Sequence, residues 1–404
     1  MKHVFWCLGH ELLVNEIVSA EGCWLHDSHG KRFVDMTSGV WCTPLGHCHP
    51  EVYSAMISQG SRIVHSGFSY TSPIVEQAAA AVCEVVGFPD GQCLFLSSGS
   101  EAVEFTMQAA RIVAKNPKFL IFSDSFFGSY GSAKERNSDE WQVFDTTNCF
   151  QCNRSECSSC PNWESIAFGE LGGFLFEPGS SSGLVRFPPK HLVQQLSEQI
   201  QKDGGLVLVN EVTTGMGRTG EWFGFQHFGI TPDCVALGKG LGNGYPVSAC
   251  VIHHDLAADL LSKDFHYFQS HQNDPLGAAV ADAVIRTMRQ GEWVEKGRLV
   301  SQILIEQLTR LAEIPGSPIQ AIRARGLMMI IELDPKRISV EQAKRIQRNL
   351  CDRGFIACLK PNLTIFRIDP PLILSQELAE KFVAEFGHAI EQVNAESGCT
   401  TISV

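Results

Sequence analysis

Gly205–Cys250 reads GLVLVNEVTTGMGRTGEWFGFQHFGITPDCVALGKGLGNGYPVSAC, and the fold class follows from how it alternates buried strand with glycine-rich turn. Leu206–Val209 is an unbroken apolar run, the pattern of a parallel strand covered on both faces. The triplet Asn210-Glu211-Val212 follows at its carboxyl end, where open α/β sheets bind ligands. Gly215, Gly217 and Gly220 mark a turn. A second buried run, Cys234–Leu237, delivers Gly238-Lys239-Gly240 at its own end. A lysine placed there suits covalent amine chemistry. Burial lowers its pKa by penalising the charged form, and flanking glycines leave room for a bulky carbonyl partner. Taken alone, Gly-Lys-Gly is an ordinary solvated loop.

Outward from this stretch the same pattern of strand and turn recurs. Cys93–Leu96 is a short strand running into Ser97-Ser98-Gly99-Ser100-Glu101-Ala102 and a helix to about Ala114. Small residues at such a turn let backbone N–H groups approach an anion, and the helix N-terminus adds partial positive charge. The same letters also make a plain N-cap with a capping-box glutamate. Phe119–Ser123 is a strand leading to Asp124-Ser125-Phe126-Phe127-Gly128-Ser129, and Gly173–Phe176 leads to Glu177-Pro178. Ile74–Val86 is helical in spacing and stops at Gly87-Phe88-Pro89. Val18–Met36 reads as two strand patterns about a turn at Asp27–Gly30. Helices are expected over 276–288 and 294–311. The remainder alternates strand 319–333, helix 340–352, strand 355–367 and helix 376–393, with a polar tail at 394–404.

Together these segments resemble the class-III (ω-type) aminotransferases, which depend on pyridoxal 5′-phosphate (PLP), along nearly the whole chain. The resemblance implies an α/β protein of PLP-dependent transferase fold type I: a large domain with a mainly parallel central sheet, and a smaller α+β domain. It implies an N-terminal segment of the small domain at 1–45, a large PLP-binding domain at 46–287 and a C-terminal small domain at 288–404. Lys239 falls at the Schiff-base position and would be the catalytic base. Ser98, Gly99 and Ser100 would cradle the cofactor phosphate. Phe126 would stack on the ring, and Phe127 and Glu177 would also belong to the cofactor-binding set. Asn210, Val212 and Thr213 would line the ring. Ser270 stands for a threonine that reaches the neighbouring subunit's phosphate, so a homodimer is expected. Ser38, Gly39 and Val40 would wall the substrate mouth. Arg367 would take a substrate carboxylate, and Ser182 stands where a glutamate often gates that arginine, leaving Arg367 freer to fork onto a carboxylate. The implied reaction moves an amino group from an amino acid or amine to a 2-oxo acid.

Three departures matter. Ser129 replaces the arginine that ornithine and acetylornithine aminotransferases use. Thr213 replaces a glutamine near the ring hydroxyl. Asn210 replaces an aspartate whose charge keeps the PLP ring nitrogen protonated, which makes the ring an electron sink. An aminotransferase in which Glu211 offsets that loss is one reading. Other PLP chemistry, of racemase or aminomutase type, is a second, and a PLP-binding protein of low turnover a third. An NAD-dependent dehydrogenase would want a Gly-x-Gly-x-x-Gly turn after its first strand, and none is in place.

Composition narrows the class further. Hydrophobic content of 44%, charged content of 19% and a formal charge of -12 suit a soluble globular protein and argue against a nucleic-acid binder. No apolar stretch is long enough for a bilayer, and the N-terminal stretch lacks the apolar core of a signal peptide. Fifteen scattered cysteines suit a reducing cytoplasm rather than a disulfide scaffold. Cys149, Cys152, Cys157 and Cys160 form two close CxxC pairs, a candidate set for structural zinc or an iron–sulfur cluster. His47 and His49 stand at i and i+2, and a structural role is expected for them rather than a metal site.

Overall fold

The computed structural model describes residues 3–5, 12–136, 138–150, 152 and 154–396. Near the N-terminus, β1 (Ile17–Glu21), β2 (Trp24–Asp27) and β3 (Arg32–Asp35) form an antiparallel meander. The central sheet then takes β4 (Gln92–Leu96), β5 (Lys118–Phe122), β6 (Trp141–Phe144), β7 (Leu171–Phe176), β8 (Leu206–Asn210), β9 (Cys234–Leu237) and β10 (Ser248–Ile252). Their order is β4-β10-β9-β8-β7-β5-β6. Every pair from β9 to β6 is parallel, whereas β10 runs antiparallel to both β4 and β9. The sheet is therefore mainly parallel, as the apolar runs predict.

Alternate side chains of those runs sort onto two faces. Val207, Val209, Phe174, Phe176, Val235 and Leu237 pack with Leu192, Val193 and Leu196 of the helix Lys190–Lys202 and with Ala281 and Val284 of the helix Pro275–Gln290. Leu208, Leu175, Phe119, Ile121 and Ala236 face the helix Gly99–Val113 through Ala102, Val103, Phe105 and Ala109. Each large side chain so buried contributes about 1.5–3 kcal/mol. Both faces being covered is why the strands read as continuous apolar runs.

A third sheet holds β11 (Ile319–Arg325), β12 (Met328–Leu333), β14 (Cys358–Leu359) and β15 (Ile365–Ile368), in the order β11-β12-β15-β14. The intervening β13 (Phe355–Ile356) pairs in parallel with β3, so the chain's last third closes onto its first. Long helices Trp293–Glu313, Val340–Asp352 and Gln376–Glu396 complete this region. Three strand expectations change. The segment 17–35 has a second hairpin turn, 319–333 is a hairpin rather than one strand, and 355–367 breaks into three short strands. In each case a turn interrupts a continuous apolar alternation, which periodicity alone does not register. Among the described residues, no helix is long and apolar enough to cross a membrane.

Gly326 at the tip of the β11–β12 hairpin docks this third sheet on the loop after β8. It has φ +58°, and a Cβ there would lie 2.3 Å from the carbonyl carbon of Thr219 and 2.4 Å from Gly220 N. Beside it, Leu327 N donates to Arg218 O at 2.9 Å, and Arg218 Nη1 donates to the carbonyls of Leu327 and Pro370. Gly326→Ala meets backbone on both sides and a strained φ, so it is expected to cost about 2–4 kcal/mol, read as a lower denaturant midpoint at unchanged slope.

Candidate active site

The ends of β4, β8 and β9 meet around a cavity of about 160 Å3. At β4 the chain turns at Ser98, the N-cap of Gly99–Val113. The Ser98 side chain accepts from Glu101 N, and the Glu101 carboxylate accepts from Ser97 N and Ser98 N. This capping box aims the first turn's remaining N–H groups at the cavity's end, a ready anion site. A Cβ on Gly99 would lie 2.5 Å from Val212 Cγ1, so only glycine lets the helix start this close to the loop after β8. Ser100 Oγ accepts from Ser129 N at 3.0 Å, and Tyr130 Oη lies 3.0 Å from Ser98 Oγ.

Lys239 enters from β9 with φ +43°. Its Nζ donates to Thr213 Oγ1 at 2.7 Å. Burial pulls its pKa from 10.5 down to about 8, against the charge of Glu177, which raises it. Its ammonium stands 4.5 Å from the ring centroid of Trp41. Asn210 closes the far side: Nδ2 donates to Phe126 O at 3.0 Å, and Oδ1 accepts from Val212 N at 3.1 Å. Glu177 lies fully buried behind Phe126. It accepts from Phe126 N at 2.7 Å and from Ser181 Oγ at 2.5 Å, yet burial dominates and pushes it up to about 7.

Ser98, Gly99, Ser100, Phe126, Phe127, Asn210, Val212, Thr213 and Lys239 thus all border one cavity. These residues fit PLP: a helix N-terminus for a phosphate, a half-exposed Phe126 ring for stacking, and a buried amine opposite. Glu177 meets the set through the Phe126 N–H and acts on Lys239 by its charge. Ser270 is exposed and lies outside the cavity.

Other expectations need correction. Arg367 is held on three sides, with Nε donating to Asp369 Oδ2 at 2.8 Å, Nη1 donating to Ser181 O and Cζ 3.9 Å from the Trp41 ring centroid, while its buried Nη2 has no partner among the described residues. Two residues along the same extended chain, Asp369 supplies the carboxylate that Ser182 lacks, and the guanidinium is fully buried. Ser182 is exposed, and it is its neighbour that meets Arg367. Ser38 is fully buried, donating to Asp369 O at 2.6 Å and accepting from Arg218 Nη2 at 3.1 Å, so it braces the site rather than walling it. Val40 points to solvent. Glu211 does not offset Asn210. Its carboxylate turns away to accept from Thr214 Oγ1, Gly224 N and Phe225 N. His47 has an acidic partner, Asp35 at 2.9 Å.

The cysteine set is also corrected. All four side chains line one cavity of about 20 Å3, and each pair closes a turn, Cys152 N to Cys149 O and Cys160 N to Cys157 O. Zinc bonded to four sulfurs at about 2.3 Å would hold them about 3.8 Å apart. Among the described residues, sets of three ligand atoms within 4.8 Å of one another occur at His65, His271 and Asp274 and at His253, His254 and Asp255, and the cysteines form none. They are free thiols, and burial with the neighbouring sulfurs pushes Cys157 up to about 11. The structure therefore gives no support to a zinc or iron–sulfur centre.

Sequence reasoning missed Trp41, Asp35, Arg218 and Asp369. Only Asp369, two residues from a singled-out arginine, carried a signal: an acid in an otherwise apolar run.

Three comparisons bear on this geometry. The family model for aminotransferase class-III matches residues 9–134 and 148–390. The acetylornithine aminotransferase of Methanopyrus kandleri is 30% identical over 391 residues, covering 93% of this chain and 94% of the relative. An uncharacterized aminotransferase of Schizosaccharomyces pombe is 27% identical over 405 residues, covering 93% and 90%. Among solved structures, the ornithine aminotransferase of Toxoplasma gondii, described with partial PLP occupancy at its active site, superposes with TM-score 0.85 at 22% identity over 98% of this chain and 94% of that one.

A pH dependence follows from the two buried charges. Above pH about 7 Glu177 is ionised and props up the Lys239 ammonium. Glu177→Gln removes that charge while keeping the shape, so the Lys239 midpoint should drop below about 8. Rates of PLP capture by apoprotein, followed by absorbance across pH 6–10, would show the midpoint moving down; an upward shift would contradict the arrangement.

Proposed function

The chain belongs to the class-III aminotransferases, PLP-dependent enzymes of fold type I, and from that premise we propose how its own residues divide the work. Transamination, the transfer of an amino group to a 2-oxo acid, is its reaction class. PLP, when bound, supplies an aldehyde carbon for amino groups and a ring that draws electrons from the donor's Cα–H bond. One observation carries the residue assignment: the Lys239 amine, its pKa lowered by burial, faces a helix N-terminus across a cavity bordered by an aromatic ring. Lys239 would be the covalent anchor and then the base that takes the donor's Cα proton and delivers it to the carbon that began as the PLP aldehyde. Thr213 Oγ1 holds its Nζ in line. Ser98, Gly99 and Ser100 bind the phosphate, Phe126 stacks on the ring and Glu177 fixes Phe126.

We divide the chain as 1–45 and 288–404 for the small domain and 46–287 for the large one. The relatives' names offer acetylornithine and ornithine as donors. Two features count against a matching fit: Ser129 offers no cation, and a carboxylate reaching for Arg367 must compete with Asp369. We place the enzyme in the cytoplasm, where its free cysteines stay reduced.

A homodimer completes this reading. Tyr53 and Ile57 share one exposed helix face, Val64, Phe68 and Tyr70 follow it, and Phe268 is 76% exposed with its ring 6.2 Å from that of Phe68. Apolar surface of this kind is what a second copy covers, and Ser270, two residues on, then reaches the partner's phosphate. Light scattering should give twice the chain mass. Phe268→Asp with Phe68→Asp should weaken dimerisation at least about tenfold, about 1.4 kcal/mol.

The activity test is spectral. Holoenzyme should show a PLP band that borohydride fixes onto Lys239, and that band should change with one or more amino donors as keto product appears. Lys239→Ala should lose the adduct and reduce turnover by several orders of magnitude. A band that no donor changes would instead favour the low-turnover reading.

A further inference from the structure

Asn210 sits where the family resemblance implies an anion, and its hydrogen bonds say what it does instead. The side chain is buried at the end of β8. Its two partners fix which end of the amide is which. Phe126 O can only accept, so the group 3.0 Å from it is the Nδ2 donor; Val212 N can only donate, so the group 3.1 Å from it is Oδ1. A carboxylate here would put a charged oxygen about 3 Å from a carbonyl oxygen, a repulsive contact in a buried setting. The position is built around the amide.

Phe126 is gripped from both sides. Its N–H donates to Glu177 Oε2 at 2.7 Å and its carbonyl accepts from Asn210. The charged groups packed around this corner are Glu177, Lys239, Asp124 and Arg136. Of the two carboxylates among these, Glu177 is committed to Phe126 and Ser181, and Asp124 stands among Ser180, Arg186 and Arg136. Arg136 Nη1 donates to Ser123 O and Nη2 to Ser125 O. Glu211 faces the other way.

We infer that Asn210 leaves the ring nitrogen of bound PLP unprotonated, meeting it as a neutral amide, and that it positions the stacking ring of Phe126. The inference rests on the PLP assignment above. Nδ2 has a second hydrogen to offer a bare ring nitrogen, while no anion at 210 retains a proton on it. A ring without that positive charge draws electrons from the donor less strongly. With a weaker electron sink, removal of the donor's Cα proton and its delivery to the carbon that began as the PLP aldehyde would have to be closely coupled through Lys239. Thr213, 2.7 Å from Nζ, keeps the amine where both are in reach.

The test reads the nitrogen itself. Holoenzyme reconstituted with PLP labelled with 15N in the ring is followed by NMR from pH 6 to 9, with protonated and unprotonated free PLP as the two reference shifts. Wild-type holoenzyme should hold the unprotonated value throughout, and a protonated value would overturn the inference outright. Asn210→Asp, where it folds, should move the shift toward the protonated reference; an unmoved shift would overturn residue 210 as the determinant. Absence of any borohydride-fixed adduct on Lys239 would sink the PLP reading instead, so the two failures are distinguishable.

Discussion

The site depends on a contact with no room in it. Gly99, at the start of its helix, and Gly238, just before Lys239, both pack against Val212: a Cβ on Gly99 would fall 2.5 Å from Val212 Cγ1, and one on Gly238 would lie 3.3 Å from the same atom. Three strand ends are drawn together where side chains would hold them apart. One contact therefore sets the distance between the helix N-terminus, the Lys239 amine and the Asn210 amide. Chemistry spread over more than a hundred residues of chain becomes local because two of them are glycine.

A second constraint lies across the cavity, and it is held under strain. Ser38, Gly39, Val40 and Trp41 all have positive φ, between 50° and 68°. A left-handed turn costs roughly 1–2 kcal/mol for each residue with a Cβ, and Val40 is β-branched. Asp35 offsets the cost by accepting from Thr37 N, Thr37 Oγ1, Gly39 N and His47 Nε2. Burial tends to raise its pKa, but these bonds prevail and hold it below the usual range. Trp41 gains its place over two cations from that turn. An indole face within reach of Lys239 and Arg367 stabilises both charges where water is excluded, and such strain is expected at a working site.

How much of this was legible in the chain differs by element. The parallel strands were, because burial on both faces leaves runs such as Leu206–Val209 that few other structures produce. The turn at Ser98–Ser100 and the placement of Lys239 were, because each sits at the end of such a run in a short, ordered motif. Hairpins at 17–27 and 319–333 were not, since the apolar pattern continues across their turns. The left-handed turn could not be read, because Val40 and Trp41 disfavour that conformation and adopt it only under tertiary restraint from Asp35. Arg367 was found but its state was not. Its partner arrives from two residues along rather than from the loop at Ser182, and spacing does not reveal which way an arginine turns.

The distribution of charge ties these departures together. Lys239, Arg367 and Arg218 bring three cations into one buried region, and burial, with the Arg367 charge beside it, pulls Arg218 down to about 10. Asp369 lies beside both arginines, and Asp35 beneath the turn, so the acids collect on the substrate side of the site. Beside Phe126 the acids among the described residues are Glu177 and Asp124, and burial pushes both up. A further carboxylate at 210 would add a second buried anion within one peptide unit of Glu177, and like charges so placed resist joint ionisation. The amide avoids that conflict and still satisfies the Phe126 carbonyl. Neutrality at 210 is thus the condition under which Glu177 can stay charged, hold Phe126 and support the protonation of Lys239.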